Sequence, residues 1–425
     1  MRFLLSCCLS LVLTTTLFAQ TQDEKPWYED WTVKPIFAVQ TWGTYTIGHE
    51  DYDPASDTYV EADNRLNFML RRLRFGTTAQ VGDRLFIKFL GAADFVGSDQ
   101  RSGTVGGVNN GGFPNAQVWD IYSQYKISRN SEALYVIGGY MRPPIGRESM
   151  SGAMGVSSFE KSWTQWYVRQ HLVGTGPGGA GGAYLGGLVP ITSKLHLDYR
   201  AGVFNAQNNG ITAGRLYSSL YVSRLNFMFG DPEKSTWSYG LPAANSFGRR
   251  NTAAIALNLA SEGPTGAAEE GISLVGVDAL VNFGHFHLEG EYHSMRRSSL
   301  EDDYTSATYA VRAGYNIVLD GDDPSRPRYL EPSVMVYGFD GTTSLEDYPT
   351  VVATSFFGGT ETVYDVGINY HLKPGKVRLG LHYVGRSGEI GNLPADGRLS
   401  WNNMQSGLPG IRRGDYVGFE VILAY

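Results

Sequence analysis

The sequence is poor in residues that carry covalent or metal chemistry. Its 425 residues include two cysteines, Cys7 and Cys8, and both lie in an N-terminal stretch with the features of a secretory signal peptide. That stretch combines Arg2 with an apolar, hydroxyl-rich run over residues 3–18 and ends near Ala19. Once it is cleaved, the mature chain contains no thiol. This excludes disulfides, cysteine nucleophiles and cysteine metal sites.

Long apolar runs and interdomain linkers are also missing. After residue 19 no stretch approaches the roughly 18 apolar residues that a membrane-spanning helix needs, and no proline-rich run, charge block or fixed-period repeat divides the chain. Only 18% of the residues are charged, the net charge is −7, and no basic cluster indicates a nucleic-acid partner. We therefore predict a signal peptide over residues 1–19 and a single domain over residues 20–425.

Glycine and aromatic residues are abundant instead, with 53 Gly, 26 Tyr and 20 Phe. They fall in segments where apolar and polar residues alternate. From Leu73 to Val81 every second residue is apolar or small, while Arg74, Thr78 and Gln80 occupy positions between them. A Gly-Asp pair then predicts a tight turn, and the return strand alternates in the same way.

This two-residue period recurs to the C-terminus in long segments. Short turns join pairs of segments, longer acidic or glycine-rich stretches separate the pairs, and aromatic residues cluster toward segment ends, which is typical of outer-membrane barrels. The pattern predicts an all-β fold, a transmembrane antiparallel β-barrel of about sixteen strands, or eighteen because residues 149–182 are hard to assign. A secreted β-sandwich or β-helix is the alternative, but strands of this length disfavour a sandwich.

The last eleven residues, DYVGFEVILAY, strengthen that prediction. Val417, Phe419, Val421, Leu423 and Tyr425 share one face, and the chain ends on an aromatic carboxylate. Such a terminal strand resembles the signal by which the barrel-assembly machinery recognises its substrates. We expect that machinery as a partner.

Three stretches resemble a known family. RLRFGTTAQVGDRLFIKFLGAADF (72–95), WDIYSQYKIS (119–128) and LYVIGGYMRPPIGRE (134–148) are similar to the first hairpins of porins O and P, the phosphate-selective porins. The likeness extends over roughly residues 70–204, and beyond them only the alternation and the terminal strand agree.

This resemblance implies a sixteen-stranded, trimeric pore constricted by loops. It does not carry phosphate specificity, which in the family depends on a ladder of arginines and a ring of lysines. The lysine ring is missing here, because the segment that would form the constriction holds a single lysine. The nearest counterparts are Arg72, Arg74, Arg142, Arg147, Lys161 and Arg169.

Alternation assigns charges of both signs to the lumen. The cations on that side are Arg72, Arg74, Lys88, Lys126, Arg200, Arg224, Arg312, Lys376, Arg378 and Arg386, and the anions are Asp94, Asp120, Asp198, Asp278, Glu289, Glu291, Asp365 and Glu420. We predict that Arg72, Arg74, Lys88, Arg200, Arg312 and Arg378 line the pore and guide ions. The alternative is that they pair with lumen carboxylates and hold the wall. By the same count Arg71 lies at a membrane interface, and Trp119 lies on the face opposite Asp120.

Residues 142–182 are the candidate constriction, because they mix cations with aromatic rings and end in a glycine tract. Arg142, Arg147, Lys161 and Arg169 are its candidate selectivity residues. Its rings could form a track for ring-bearing solutes or anchor the segment to the barrel wall; these rings are Trp163, Trp166 and Tyr167.

Three other signals carry less weight. The glycines at 174–179 lack the strand and helix that a nucleotide site needs. His285, His287 and His293 share a face with Glu289 and Glu291, yet a polar lumen strand explains this without metal. We interpret the acidic stretches as solvated loops; they are residues 49–63, 300–303, 320–323 and 345–347.

We predict a Gram-negative outer-membrane porin, not an enzyme, that lets small hydrophilic solutes or ions diffuse and uses no cofactor. Expected partners are outer-membrane lipid, lipopolysaccharide and two further copies of the chain. An adhesion or assembly scaffold acting through the acidic loops is the alternative, and a barrel-borne hydrolase is a third hypothesis.

Overall fold

The computed structural model describes residues 27–99, 115–205, 217–264, 271–298, 303–319, 327–394, 398–400 and 411–425. The predicted signal peptide lies outside these ranges, as do residues 300–302 and 320–323 of the acidic stretches. None of the helices in the described ranges is both long enough and apolar enough to cross a membrane.

Sixteen antiparallel strands form one closed sheet, and each pairs with its neighbours along the chain. The strands are β1 Trp31–Ile47, β2 Arg65–Val81, β3 Leu85–Val96, β4 Gln117–Lys126, β5 Tyr135–Met141, β6 Ala180–Pro190, β7 Leu195–Phe204, β8 Leu220–Gly230, β9 Thr252–Glu262, β10 Gly271–Phe283, β11 Phe286–Ser298, β12 Asp303–Tyr315, β13 Arg328–Asp340, β14 Thr360–Lys373, β15 Val377–Ser387 and β16 Asp415–Ala424. A short piece, Ile317–Leu319, continues β12.

The barrel closes because the first strand pairs with the last. Ala38 lies opposite Ala424 and Ile47 opposite Asp415, with every residue between them in register. Residues 149–182 contribute only the start of β6 and two helices, so the count is sixteen and not eighteen. The prediction of a sixteen-stranded antiparallel barrel is confirmed.

The two-residue period places apolar side chains outside. On β9, Ile255 and Leu257 are 54% and 40% exposed, whereas Ala256 and Asn258 between them are 1% and 0% exposed. Water cannot satisfy backbone groups within hydrocarbon, so each strand must pair on both edges, and this closed ring meets that requirement.

Connections differ between the two ends of the barrel. One end, here the turn end, carries short hairpins such as residues 82–84 and 374–376. The other, the loop end, carries most of the longer connections, and residues 231–251 are a long connection at the turn end. Outer-membrane barrels place short turns in the periplasm. At the loop end, Glu50–Asp53, Thr58–Glu61 and Ile411–Arg412 form a small separate sheet that contains part of the acidic 49–63 stretch.

A β-bulge reverses the alternation beside Arg72. Gln40 pairs with Arg72 and Thr41 with Leu70, which leaves Arg71 as an extra residue. Arg71 and Arg72 therefore both point inward and are both 4% exposed. The expectation that Arg71 lies at the membrane interface is wrong.

A second bulge turns Trp119 inward. Leu90 pairs with Asp120 and Gly91 with Val118, so Trp119 has no residue opposite it. Its indole ring enters the bore, where its centroid lies 4.5 Å from Cζ of Arg74. The expectation that Trp119 faces away from the lumen is wrong for the same reason as for Arg71.

The closing seam can be tested by crosslinking. Thr41 and Val421 are directly paired across β1 and β16, and paired side chains in adjacent strands are close enough for a disulfide. We expect the double variant Thr41→Cys, Val421→Cys to form a disulfide under mild oxidation, seen as altered mobility on a non-reducing gel. The control pair Thr41→Cys, Val275→Cys joins β1 to β10 and should form none. Equal crosslinking of both pairs would contradict the closure.

Candidate functional site

The connection between β5 and β6, residues 142–179, folds into the bore. We call it the loop-end insert. It contains helix α1, Arg147–Met150, and helix α2, Thr164–Val173. The insert crosses the bore to the wall opposite β5 and β6. The backbone N–H of Glu148 donates to Glu291 on β11 at 2.9 Å, and that of Phe159 donates to Asp365 on β14 at 2.8 Å. The predicted constriction, 142–182, matches this insert apart from three residues that belong to β6.

A second insert enters from the turn end, where the sequence predicted only short connections. Residues 231–251 join β8 to β9 and fold inward, and their Trp237 stacks on Tyr135 of β5 with 4.9 Å between ring centroids. The hydroxyl of Tyr239 donates to the carbonyl of Arg142 at 3.0 Å. The two inserts therefore meet inside the barrel. We call residues 231–251 the turn-end insert.

Ion pairs join the inserts to each other and to the wall. Arg147 of the loop-end insert donates to both carboxylate oxygens of Glu233 in the turn-end insert, at 3.0 and 2.6 Å. Arg71 donates from Nε to Glu160 at 2.7 Å, and Arg72 pairs with the same carboxylate. Two wall arginines thus share one carboxylate supplied by the insert.

The other predicted pore-lining arginines are also buried and paired. Arg200 pairs with Asp198 at 2.9 Å, Arg312 with Glu148 at 2.7 Å, and Arg378 lies 2.5 Å from Glu420. The exposures of Arg200, Arg312 and Arg378 are 0%, 1% and 5%. Because the inserts fill this part of the bore, the expectation that these three side chains meet water is wrong. Their ion-guiding role stays a prediction.

Histidines and carboxylates hold the middle of the loop-end insert. Glu331 on β13 lies 2.7 Å from Nε2 of both His287 and His371, and it accepts a hydrogen bond from Ser157 Oγ at 2.5 Å. His382 lies 2.6 Å from Asp365, which binds the backbone of residue 159. These contacts fix the insert against β13 to β15. The described residues contain no group of three or more His, Cys, Asp or Glu side chains placed to hold a metal ion.

The insert's aromatic rings pack against the wall and do not form an open track. Tyr167 stacks on Phe339 of β13 with 4.1 Å between centroids, and Trp166 lies 4.8 Å from Phe357. Trp163 is 8% exposed. Of the two sequence interpretations, this geometry favours anchoring.

Water reaches charged lumen side chains along β2 to β4. We call Arg74, Lys88, Asp94 and Trp119, together with Arg142 of the loop-end insert, which is 8% exposed, the accessible strip. Asp94 accepts hydrogen bonds from both terminal nitrogens of Arg74, at 2.5 and 3.0 Å. The side chain of Arg74 is 12% exposed and that of Asp94 is 16% exposed. Lys88, 21% exposed, lies 3.3 Å from Asp120. Arg142 reaches the same carboxylate at 3.2 Å.

Two cations behind the strip have no carboxylate within ion-pair distance among the described residues. Lys161 donates to backbone carbonyls of Glu148 and Ser151, and Arg169 donates to the hydroxyl and carbonyl of Ser149. Burial lowers the pKa of Lys161 to about 7, partly opposed by the nearby Glu148. Burial also lowers the pKa of Arg169, to about 9. These two cations are therefore held by carbonyl and hydroxyl oxygens and not by carboxylates in the described part of the chain.

Solved structures similar to this chain are outer-membrane barrels. Salmonella typhi OmpF, solved in complex with daunomycin, has a TM-score of 0.54 at 10% identity, and the match covers 92% of this chain and 97% of OmpF. Vibrio cholerae OmpT has a TM-score of 0.50 at 9% identity, with 96% and 100% covered. Pseudomonas putida OprB has a TM-score of 0.50 at 8% identity, with 92% and 94% covered.

No family model and no curated protein matches the sequence. At these identities the likeness shows the fold. The chain has the sixteen-stranded barrel fold of outer-membrane porins. Its place is the outer membrane of a Gram-negative bacterium, and the narrower resemblance to porins O and P stays a prediction.

The shared carboxylate of Glu160 gives a direct test of how the insert is held. The substitution Glu160→Gln leaves Arg71 and Arg72 buried without a carboxylate, and breaking a buried pair costs about 3–5 kcal/mol. We expect the free energy of unfolding in detergent, measured by urea titration, to fall by that amount. Glu61→Gln, which removes an exposed carboxylate in the loop-end sheet, should leave the value unchanged. Equal effects of both changes would contradict the role of Glu160.

Proposed function

We propose that this protein is a porin through which small hydrophilic solutes diffuse, with a preference for anions. The observation that carries the proposal is the charge excess at the accessible strip. In the part of the chain that the structure describes, Arg74 pairs with Asp94 while Lys88 and Arg142 share Asp120, which is three cations to two carboxylates. Lys161 and Arg169 lie behind Arg142 and add positive charge. A narrow path beside low-dielectric walls focuses such a field and attracts anions.

The path is proposed to follow one side of the bore. On the opposite side Arg224, Arg312 and Glu331 are at most 1% exposed, and the inserts fill the space in front of them. Toward the turn end, Lys34 on β1 is exposed and Thr78 and Gln80 on β2 are partly exposed. A solute would therefore pass along β1 to β4, where the accessible charges are mostly basic.

The partners follow from the fold and the sequence. We propose a homotrimer, as the resemblance to porins O and P implies, surrounded by outer-membrane lipid and lipopolysaccharide. The C-terminal strand that would be recognised by the barrel-assembly machinery is β16, the strand that closes the ring with β1. A porin is expected to have these partners, but so are other outer-membrane barrels, so the partners do not distinguish between them.

The filled bore favours a second candidate, an adhesion or assembly scaffold. If both inserts stay seated, solutes cannot use most of the lumen, and the acidic loop-end hairpin Glu50–Asp53 with Thr58–Glu61 becomes the main feature at the cell surface. Planar-bilayer recordings separate the two functions, because a porin gives stepwise currents and a scaffold gives none.

Reversal potentials test the anion preference. In a salt gradient we expect chloride to be favoured over potassium, and Arg74→Gln or Lys88→Gln to lower the permeability ratio roughly two- to five-fold. One charge a few ångströms from the path is worth about 1 kcal/mol in a water-like medium. The control Arg296→Gln removes an equal charge from an exposed pair on the outer face. An unchanged ratio in both strip variants would overturn the assignment of the strip.

The anion preference should also depend on pH. Because the pKa of Lys161 is about 7, its amine is charged below pH 7 and neutral above it. The permeability ratio should therefore fall as the pH rises from 6 to 8, and Lys161→Met should remove that slope. Lys34→Met, which removes an exposed lysine on β1, should keep the slope. If Lys161→Met retains the full slope, another group is responsible.

A further inference from the structure

The barrel fold alone does not explain why the indole of Trp119 lies in the bore between two arginines. The bulge in β4 turns its indole into the bore, where the ring centroid lies 4.5 Å from Cζ of Arg74 and 5.1 Å from Cζ of Arg142. Guanidinium groups within about 6 Å of an indole ring are attracted to it. The ring is partly exposed. Two cations therefore flank the indole, and the part of the ring that they leave uncovered is in contact with water.

Both cations are fixed from behind by carboxylates. Asp94 holds both terminal nitrogens of Arg74, and Asp120 lies within 3.2 Å of Arg142. These contacts limit the rotation of the guanidinium groups and keep them beside the indole. Lys88 shares Asp120 with Arg142 and lies 5.9 Å from the ring centroid of Tyr122.

The chemistry of this surface selects for two properties at once. The charge balance of three cations to two carboxylates favours a solute with one negative charge. The indole face favours a flat ring, because stacked aromatic pairs add about 0.5–1.5 kcal/mol beyond simple burial, equivalent to roughly two- to ten-fold in binding. A small inorganic anion uses only the charge.

We propose that Trp119, Arg74 and Arg142 form a binding site for planar aromatic carboxylates, and that this site gives such solutes preferential passage. The inference deepens the proposed porin function and rests on it. Benzoate is the simplest probe. Acetate has the same charge without a ring, and cyclohexanecarboxylate has the same charge and a similar size without a flat π surface.

The first experiment uses the unmodified protein in planar bilayers. Benzoate added to a chloride bath should interrupt the current at concentrations roughly two- to ten-fold lower than cyclohexanecarboxylate, and lower still than acetate. Equal potency of benzoate and cyclohexanecarboxylate would overturn the proposal, because the indole would then contribute no ring recognition.

The second experiment changes the ring. Trp119→Leu should remove the advantage of benzoate while the chloride current persists, and Trp119→Phe should keep part of it. Trp31→Leu is the matched control, because Trp31 is 59% exposed at the turn end of β1 and is absent from the strip. If Trp119→Leu retains the full preference for benzoate, the site is elsewhere.

The two proposals fail in different ways. Absence of stepwise current in the unmodified protein would refute the porin function. Benzoate binding to detergent-solubilised protein, followed by saturation-transfer difference NMR, would still decide the site. A signal lost in Trp119→Leu and kept in Trp31→Leu supports the site, and a signal equal in all three proteins overturns it. Heat-dependent gel mobility confirms that each variant is folded.

Discussion

Hydrocarbon offers no hydrogen bonds to the backbone, and this one constraint dictates the rest of the structure. Every strand must be paired on both edges, so β1 and β16 meet and the sheet closes. Closure gives each residue one of two environments, lipid or bore, which produces the two-residue period. Sixteen strands enclose more space than wall side chains can fill. The chain fills the remainder with two of its own connections.

Filling the bore changes the role of the charged wall. Burying a charge is costly unless it is paired and hydrogen-bonded, and several charges of the inserts match charges already on the wall. Glu160 binds Arg71 and Arg72, Glu148 pairs with Arg312, and the same logic joins the two inserts to each other. Wall arginines that the sequence alone assigns to a pore lining bind carboxylates of the inserts instead. This explains why so many arginines are buried.

The sequence predicts the repeating part of this design and misses its exceptions. Alternation identifies the barrel and the approximate strand number, because those features extend over many residues, and the mixture of cations and aromatic rings at 142–182 marks the segment that forms the loop-end insert. Arg71 and Trp119 are misplaced because a bulge adds one residue without a distinctive side chain. The turn-end insert is missed because turn-end connections are expected to be short. A signal was present, since residues 231–251 are long for a turn and contain Trp237 without alternation.

The asymmetry of the filled bore connects these features to selectivity. The inserts also bind β2, through Arg71 and Arg72, but they leave Arg74, Lys88 and Asp94 partly exposed, which concentrates whatever selectivity exists on a few residues. Within the described ranges, Lys161 and Arg169 have no carboxylate at ion-pair distance, and a nearby anion would lower the cost of burying them. The proposed anion preference depends on these cations and on the basic side chains of the strip. The bulge in β4 interrupts the alternation and places the indole of Trp119 in this strip, beside Arg74 and Arg142.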